Sequence, residues 1–279
     1  MRRAILTVLV DNKAGFGCVS EHGYALWIDA GEKRILLDTG QGTALAGNAR
    51  ALGIDLGLTD SLVLSHGHYD HTGALPLVLG AAPQARLHCH PGVTEPRYSV
   101  RDGQARDIRM PQASMRALNA LPPNRLRWSG EPASLGAGMG LSGYIPRRTD
   151  FEDTGGPFFF DPHGHRADPI DDDQSLWIAT DEGLVVCTGC CHAGLINTLT
   201  HLRGITGEGR IRAVIGGLHL GAASDERLEK TARALREMKP GLVVPCHCTG
   251  EAATAWLADH LDCEVRTGYA GMRLDTSAL

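Results

Sequence analysis

Short blocks of apolar residues punctuated by polar turns run through the first ninety positions. Residues 4–10, 24–28 and 34–37 are β-branched or apolar runs of strand length. The last two are separated by Asp29-Ala30-Gly31-Glu32, which predicts a hairpin. Residues 61–64 predict another short buried strand, which runs directly into Ser65-His66-Gly67-His68-Tyr69-Asp70-His71. Residues 72–79 read as the opening of a helix and 86–88 as the next strand. From about 91 to 170 the pattern weakens into prolines and glycine steps such as Gly136-Ala137-Gly138-Met139-Gly140. Order then returns, with strands at 176–179, 184–187 and 211–215. Residues 225–238 predict a helix with Leu228, Ala232, Leu235 and Met238 on one stripe, stopped by Pro240-Gly241. A strand at 242–244, a loop at 245–250 and a helix at 251–261 follow. Strand runs in both halves, each followed by helix, predict two sheets with helices packed outside.

Composition narrows the class. With 43% hydrophobic and 21% charged residues in 279, the chain matches an ordinary globular domain, which excludes disordered and fibrous classes. No apolar run approaches the ~20 residues of a membrane helix. Met1-Arg2-Arg3 precedes an apolar stretch that ends at Asp11-Asn12-Lys13 without a small-residue cleavage site, so a first strand is expected, not a signal peptide. A net charge of −5 argues against a general nucleic-acid binder. A soluble cytoplasmic protein, with no membrane or nucleic-acid partner, is the expectation. Histidine and cysteine change this plain picture: there are 13 His and 8 Cys, with Cys187, Cys190 and Cys191 in one cluster and Cys246 and Cys248 in another. Without a secretory signal such thiols are expected reduced, buried or metal-binding.

His66 and His68, two apart where an extended segment ends, point the same way and can reach one cation. Asp70 and His71 follow on the turn and can address a second. Imidazole with carboxylate suits zinc, manganese or iron. A competing arrangement would gather Cys187, Cys190, Cys246 and Cys248 as a four-thiolate structural zinc site, with Cys246 and Cys248 facing one side of a strand and His247 the other.

The His-x-His-x-Asp-His pattern resembles the signature of the metallo-β-lactamase superfamily. The resemblance implies an α/β chain folded as an αββα sandwich. It implies one domain over residues 1–279, in which we expect 91–170 to form an insertion covering the active site. It also implies two divalent ions at one edge, with zinc foremost and manganese or iron as alternatives. Asp38 in Leu-Asp-Thr-Gly resembles a supporting aspartate, Cys190 stands where a bridging aspartate is usual, and His247 corresponds to a second-metal ligand. The stretch Asp171-Asp172-Asp173-Gln174-Ser175 lacks the family's third histidine, and His192 is the candidate to replace it. The first ion is then assigned to His66, His68 and His192. The second goes to Asp70, His71 and His247, with Cys190 as an added or bridging ligand.

Two features lie outside these shells. Nine arginines and no lysine occupy Arg97 to Arg148, against Asp102, Asp107 and Glu131; guanidinium forks suit phosphate oxygens. Arg147, with Glu152 and His22, is the candidate substrate contact. His219 follows Gly216-Gly217, where glycine permits close backbone approach, and joins Asp70 and Asp38 as a candidate catalytic group. With Glu21-His22-Gly23, residues 142–147, 188–192 and 246–250, these motifs resemble the branch of dihydropterin ribofuranosyl-aminobenzene-phosphate synthases and related metal-dependent hydrolases. The expected function is hydrolysis of a small phosphorylated substrate by a metal-bound hydroxide. The alternatives are a transferase that joins a dihydropterin methyl diphosphate to a ribofuranosyl-aminobenzene phosphate with diphosphate release, and a non-catalytic metal or ligand sensor. A homo-oligomer is compatible with this reading.

Overall fold

The computed structural model describes residues 3–279; Met1 and Arg2 of the basic start lie outside the described residues. The chain opens with β1 (Ile5–Val10), β2 (Ala25–Asp29) and β3 (Arg34–Leu37), the last two joined by the expected hairpin. Helix α1 (Leu45–Ala51) and β4 (Ser61–Val63) lead to the His-rich motif, then α2 (Tyr69–Thr72), α3 (Leu75–Ala81) and β5 (Arg86–Cys89). Next come β6 (Tyr98–Arg101), β7 (Gln104–Asp107), α4 (Gln112–Asn119), β8 (Leu126–Trp128), β9 (Ala133–Gly136), β10 (Met139–Leu141) and β11 (Phe158–Phe159). The second half alternates more regularly: β12 (Leu176–Thr180), β13 (Gly183–Thr188), α5 (Leu195–Thr206), β14 (Ile211–Gly217), α6 (Asp225–Met238), β15 (Leu242–Cys246) and α7 (Glu251–His260). Strands β16 (Glu264–Val265) and β17 (Arg273–Asp275) complete it.

Two seven-stranded sheets result, ordered β17-β1-β2-β3-β4-β5-β8 and β16-β15-β14-β13-β12-β10-β9. The period of two along each strand makes the layers. In β3, Ile35 and Leu37 enter the core between the sheets while Leu36 packs outward under α1 and α3. In β13, Val185 and Cys187 face the same central core while Leu184 and Val186 pack against α5, α6 and α7. Helix, sheet, sheet and helix therefore stack as four layers. Helix α6 shows the logic locally: Ser224 accepts a hydrogen bond from Arg227 N, Asp225 and Glu226 lie in the first turn, and Leu228, Ala232 and Leu235 are buried. No helix among the described residues is long and apolar enough to cross a membrane.

The 91–170 stretch is not one insertion. Strand β8 extends the first sheet beside β5, and β9 and β10 extend the second beside β12. Only β6, β7 and β11 form a separate three-stranded sheet. The added strands are only three or four residues long, so their apolar periodicity is too brief to read. Strands β3 and β4 are parallel, as are β13, β14 and β15. Their C-terminal ends deliver Asp38, His66, Cys190, His219 and His247 to one rim, where crevices of parallel sheets bind ligands.

Candidate metal centre

At the end of β4 the backbone must pass close under a neighbouring loop. A Cβ on Gly67 would stand 2.3 Å from Val93 O, so only glycine fits between the two histidines, and its N–H donates to Asp172 Oδ2 at 2.8 Å. His66 and His68 are buried here, as are Asp70 and His71. Nitrogens of His66, His68 and His192 lie within 4.8 Å of one another, with His66 Nε2 and His68 Nδ1 only 2.9 Å apart.

The hydrogen bonds behind the rings determine which nitrogen carries the proton. Ser65 Oγ donates to Asp38 Oδ2 at 2.7 Å, so it accepts from His66 Nδ1 at 2.8 Å. His71 Nδ1 donates to the same Asp38 oxygen at 2.7 Å. His192 Nδ1 donates to Thr154 O at 2.8 Å, and His247 Nδ1 donates to Asn12 Oδ1 at 2.8 Å, an oxygen that also accepts from Gly23 N. In His66 and His192 the proton is held on Nδ1 and the Nε2 lone pair is left for the centre, while His71 and His247 are anchored through Nδ1 with Nε2 turned towards it. His192 Nε2 is buried without a hydrogen-bond partner. Converging lone pairs of this kind fit a cation.

The electrostatics agree. Burial first, then repulsion among the rings, lowers the pKa of His66 well below the usual imidazole range; burial dominates likewise at His68 and His192. Neutral imidazole is the ligand form. His71 differs: burial would lower it, but Asp38 and Asp70 override this and raise it to about 9. Burial would raise Asp70, yet hydrogen bonds from His22 and His247 hold it ionised. Its Oδ2 lies 3.1 Å from His22 Nε2 and 3.4 Å from His247 Nε2. Burial pushes the Cys190 thiol up; its sulfur sits 3.1 Å from His71 Nε2.

The structure therefore brings His66, His68, His192, Cys190, Asp70, His71, His247 and His22 into one cluster, with Asp38 behind it. His219 joins from β14, its ring centroid 4.1 Å from that of His192. Asp38, Cys191, His219 and His247 all adopt positive φ, at 61°, 62°, 48° and 46°. A cavity of about 670 Å³ opens over the cluster, lined by Asp70, His219 and His247 together with Tyr69, Arg101, Arg106 and Phe158.

Two expected substrate contacts belong elsewhere. Arg147 donates to His192 O and Pro169 O, both at 2.6 Å, and is not part of the cavity lining. Its guanidinium braces the loop that carries His192. Glu152, largely buried, accepts from Ile196 N and Asn197 N at 2.8 and 2.9 Å, capping α5. Of the nine arginines only Arg101 and Arg106 line the cavity; Arg97 is buried against Asp168 and Asp172. The four-thiolate arrangement is also overturned, because Cys187 and Cys246 lie in the inter-sheet core while Cys190 and Cys248 line the cavity. Sequence reasoning missed Asn12 and Asp172, which hold the ligands from behind. The acidic run 171–173 was the one signal for the latter.

With this geometry in hand, a sequence model of the Metallo-beta-lactamase superfamily matches residues 21–247. The chain is 30% identical to the uncharacterized protein MJ0448 of Methanocaldococcus jannaschii, covering 91% of this chain and 94% of that protein. It is 28% identical to the 7,8-dihydropterin-6-methyl-4-(beta-D-ribofuranosyl)-aminobenzene-5'-phosphate synthase of the same organism, covering 87% and 86%. A crystal structure of Tm1679, a metal-dependent hydrolase of the beta-lactamase superfamily, is 34% identical and covers 97% of this chain and 98% of that one with a TM-score of 0.83.

Proposed function

Because the chain belongs to the metallo-beta-lactamase superfamily, we propose that it is a hydrolase with two divalent ions, acting on a small phosphorylated substrate. The supporting observation is that one cavity sets the His/Asp/Cys cluster against Arg101 and Arg106, the latter held by Tyr69 OH at 2.7 Å. His66, His68 and His192 would hold one ion; Asp70, His71, His247 and Cys190 the other. This mixed N, O and S set suits zinc first, then iron or manganese. Ions bound there supply Lewis acidity and bring the pKa of water towards ~7. Asp38 keeps His71 and, through Ser65, His66 in the ligand tautomer. The ionised Asp70 orients His22 at the cavity mouth. His219, which lines the cavity and has a buried Nδ1 lacking a partner, is placed to give a proton to the leaving group. Arg101 and Arg106 grip the phosphate as bidentate forks.

The similarity to the pterin synthase favours a second reading, in which the same cavity holds a dihydropterin methyl diphosphate and a phosphorylated aryl acceptor. One experiment separates the two. Diphosphate release from the pterin substrate is measured with and without acceptor, beside cleavage of phosphate-bearing esters and lactones. Brisk cleavage of the latter, with KM raised by Arg101→Ala or Arg106→Ala, supports the hydrolase. Release that requires the acceptor replaces it with the transferase.

A further inference from the structure

Cys248 takes no part in the ligand shells above, and strand alternation would have turned it away from His247. The chain does not keep that alternation. Strand β15 ends at Cys246, His247 takes φ 46°, and residues 247–249 form a turn of 3-10 helix. Cys246 stays in the inter-sheet core, whereas His247 and Cys248 both line the cavity. There the ligand atoms of Cys190, His247 and Cys248 lie within 4.8 Å of one another. The sulfur of Cys248 rests 3.6 Å from Cys190 O. Gly217 leaves room both for the backbone of the Cys190 loop and for this thiol: a Cβ there would stand 2.4 Å from Gly189 O and 2.6 Å from the Cys248 sulfur.

We propose that Cys248 is a second thiolate ligand, sharing one cation with Cys190 and His247, so that the centre selects a thiophilic ion (zinc, cadmium, cobalt(II) or iron(II)) over manganese or magnesium. This rests on the reading of the cluster as a metal centre. Added to Asp70, His71, His247 and Cys190, Cys248 would give that ion two sulfurs among its donors, a softer set from which oxygen-preferring cations gain least. Each thiol releases its proton to solvent as the metal–sulfur bond forms, and no electron is transferred.

The test uses the full chain stripped with chelator and reloaded with cobalt(II) or cadmium(II). Metal content and the near-ultraviolet thiolate-to-metal charge-transfer band are read on the same samples. The band per bound metal should fall by about half in Cys248→Ser and about half in Cys190→Ser, vanish in the double variant, and stay unchanged in Cys18→Ser. A second measurement needs no variant at the site. Iodoacetamide labelling of Cys248 in the natural chain, located by peptide mapping, should slow by about tenfold or more with zinc but not with manganese. A band indifferent to Cys248→Ser at full metal content, or labelling unaffected by zinc, overturns the proposal and leaves the metal centre standing. Failure of the natural chain to take up any metal would overturn both.

Discussion

The buried guanidinium of Arg97 offers the sharpest test of how the three-stranded sheet and the metal motif are held together. Arg97 is 1% exposed and donates to both oxygens of Asp172, one at 2.8 Å, with its Nε 2.9 Å from Asp168 Oδ2. Asp172 in turn accepts from Gly67 N inside the His-rich motif, so one arginine at the root of β6 braces the loop that presents His66 and His68. Replacing it with alanine leaves two carboxylates buried without their cation. Breaking one buried pair in this way costs roughly 3–5 kcal/mol, a large part of a net stability of about 5–15 kcal/mol. With a urea slope of roughly 3 kcal/mol/M, the unfolding midpoint of Arg97→Ala should fall by about 1 M or more. Urea titration at pH 7 with chelator present keeps metal linkage out of the comparison. Removing the charges together, as Arg97→Met with Asp168→Asn and Asp172→Asn, should recover much of the loss, because the penalty lies in the unpaired carboxylates. A loss under about 1 kcal/mol for Arg97→Ala, or a triple variant no more stable than the single one, would refute this reasoning.

Other consequences can be checked separately. Asp38→Asn exchanges a carboxylate for an amide against His71 and Ser65 and should weaken metal binding about 10–100-fold, measured by competition with a chromophoric chelator; unchanged affinity would remove Asp38 from its supporting role. His68→Ala and Asp70→Ala should each lower the metal content by elemental analysis, towards about one ion per chain from about two. Retention of the full content by both variants would refute the ligand assignment. His88 on β5, away from the centre, has its pKa lowered to about 4 by burial and by Lys33, Arg127 and Arg86. The unfolded chain therefore binds that proton first, and the stability present above pH 6.5 is lost as pH falls towards 4, by roughly 3 kcal/mol at most. His88→Gln should lose less Tm than the natural chain between pH 8 and pH 4.5; equal losses would exclude His88 as the source.

How far the chain could be read depended on how local the information was. Strands β3 and β4 and helix α6 carry their period within the segment, and the His-rich motif declares its chemistry in six residues. Helix α5, Leu-Ile-Asn-Thr-Leu-Thr-His-Leu-Arg-Gly-Ile-Thr, does not: its isoleucines and threonines favour strand, and its start is capped by Glu152 from a distant loop. Strand β17 exists because β1 supplies its partner, with Ile5 opposite Asp275. Arg147 shows the same limit at the site, since a guanidinium that clamps two carbonyls reads like one that awaits a phosphate. The side of the chain on which Cys248 falls turns on a single dihedral angle at His247.

The positive φ angles at Asp38, Cys191, His219 and His247 bear on how such a protein changes under selection. A left-handed backbone at a residue with a Cβ costs roughly 1–2 kcal/mol, so the four together, roughly 4–8 kcal/mol, are comparable with the lower part of a domain's margin of about 5–15 kcal/mol. Glycine would relieve each of them. A library screened for thermal survival alone should therefore drift to glycine at positions 38, 219 and 247, becoming more robust as it loses the groups that bind and orient. Keeping those side chains in an evolving population requires selection on chemistry at every round.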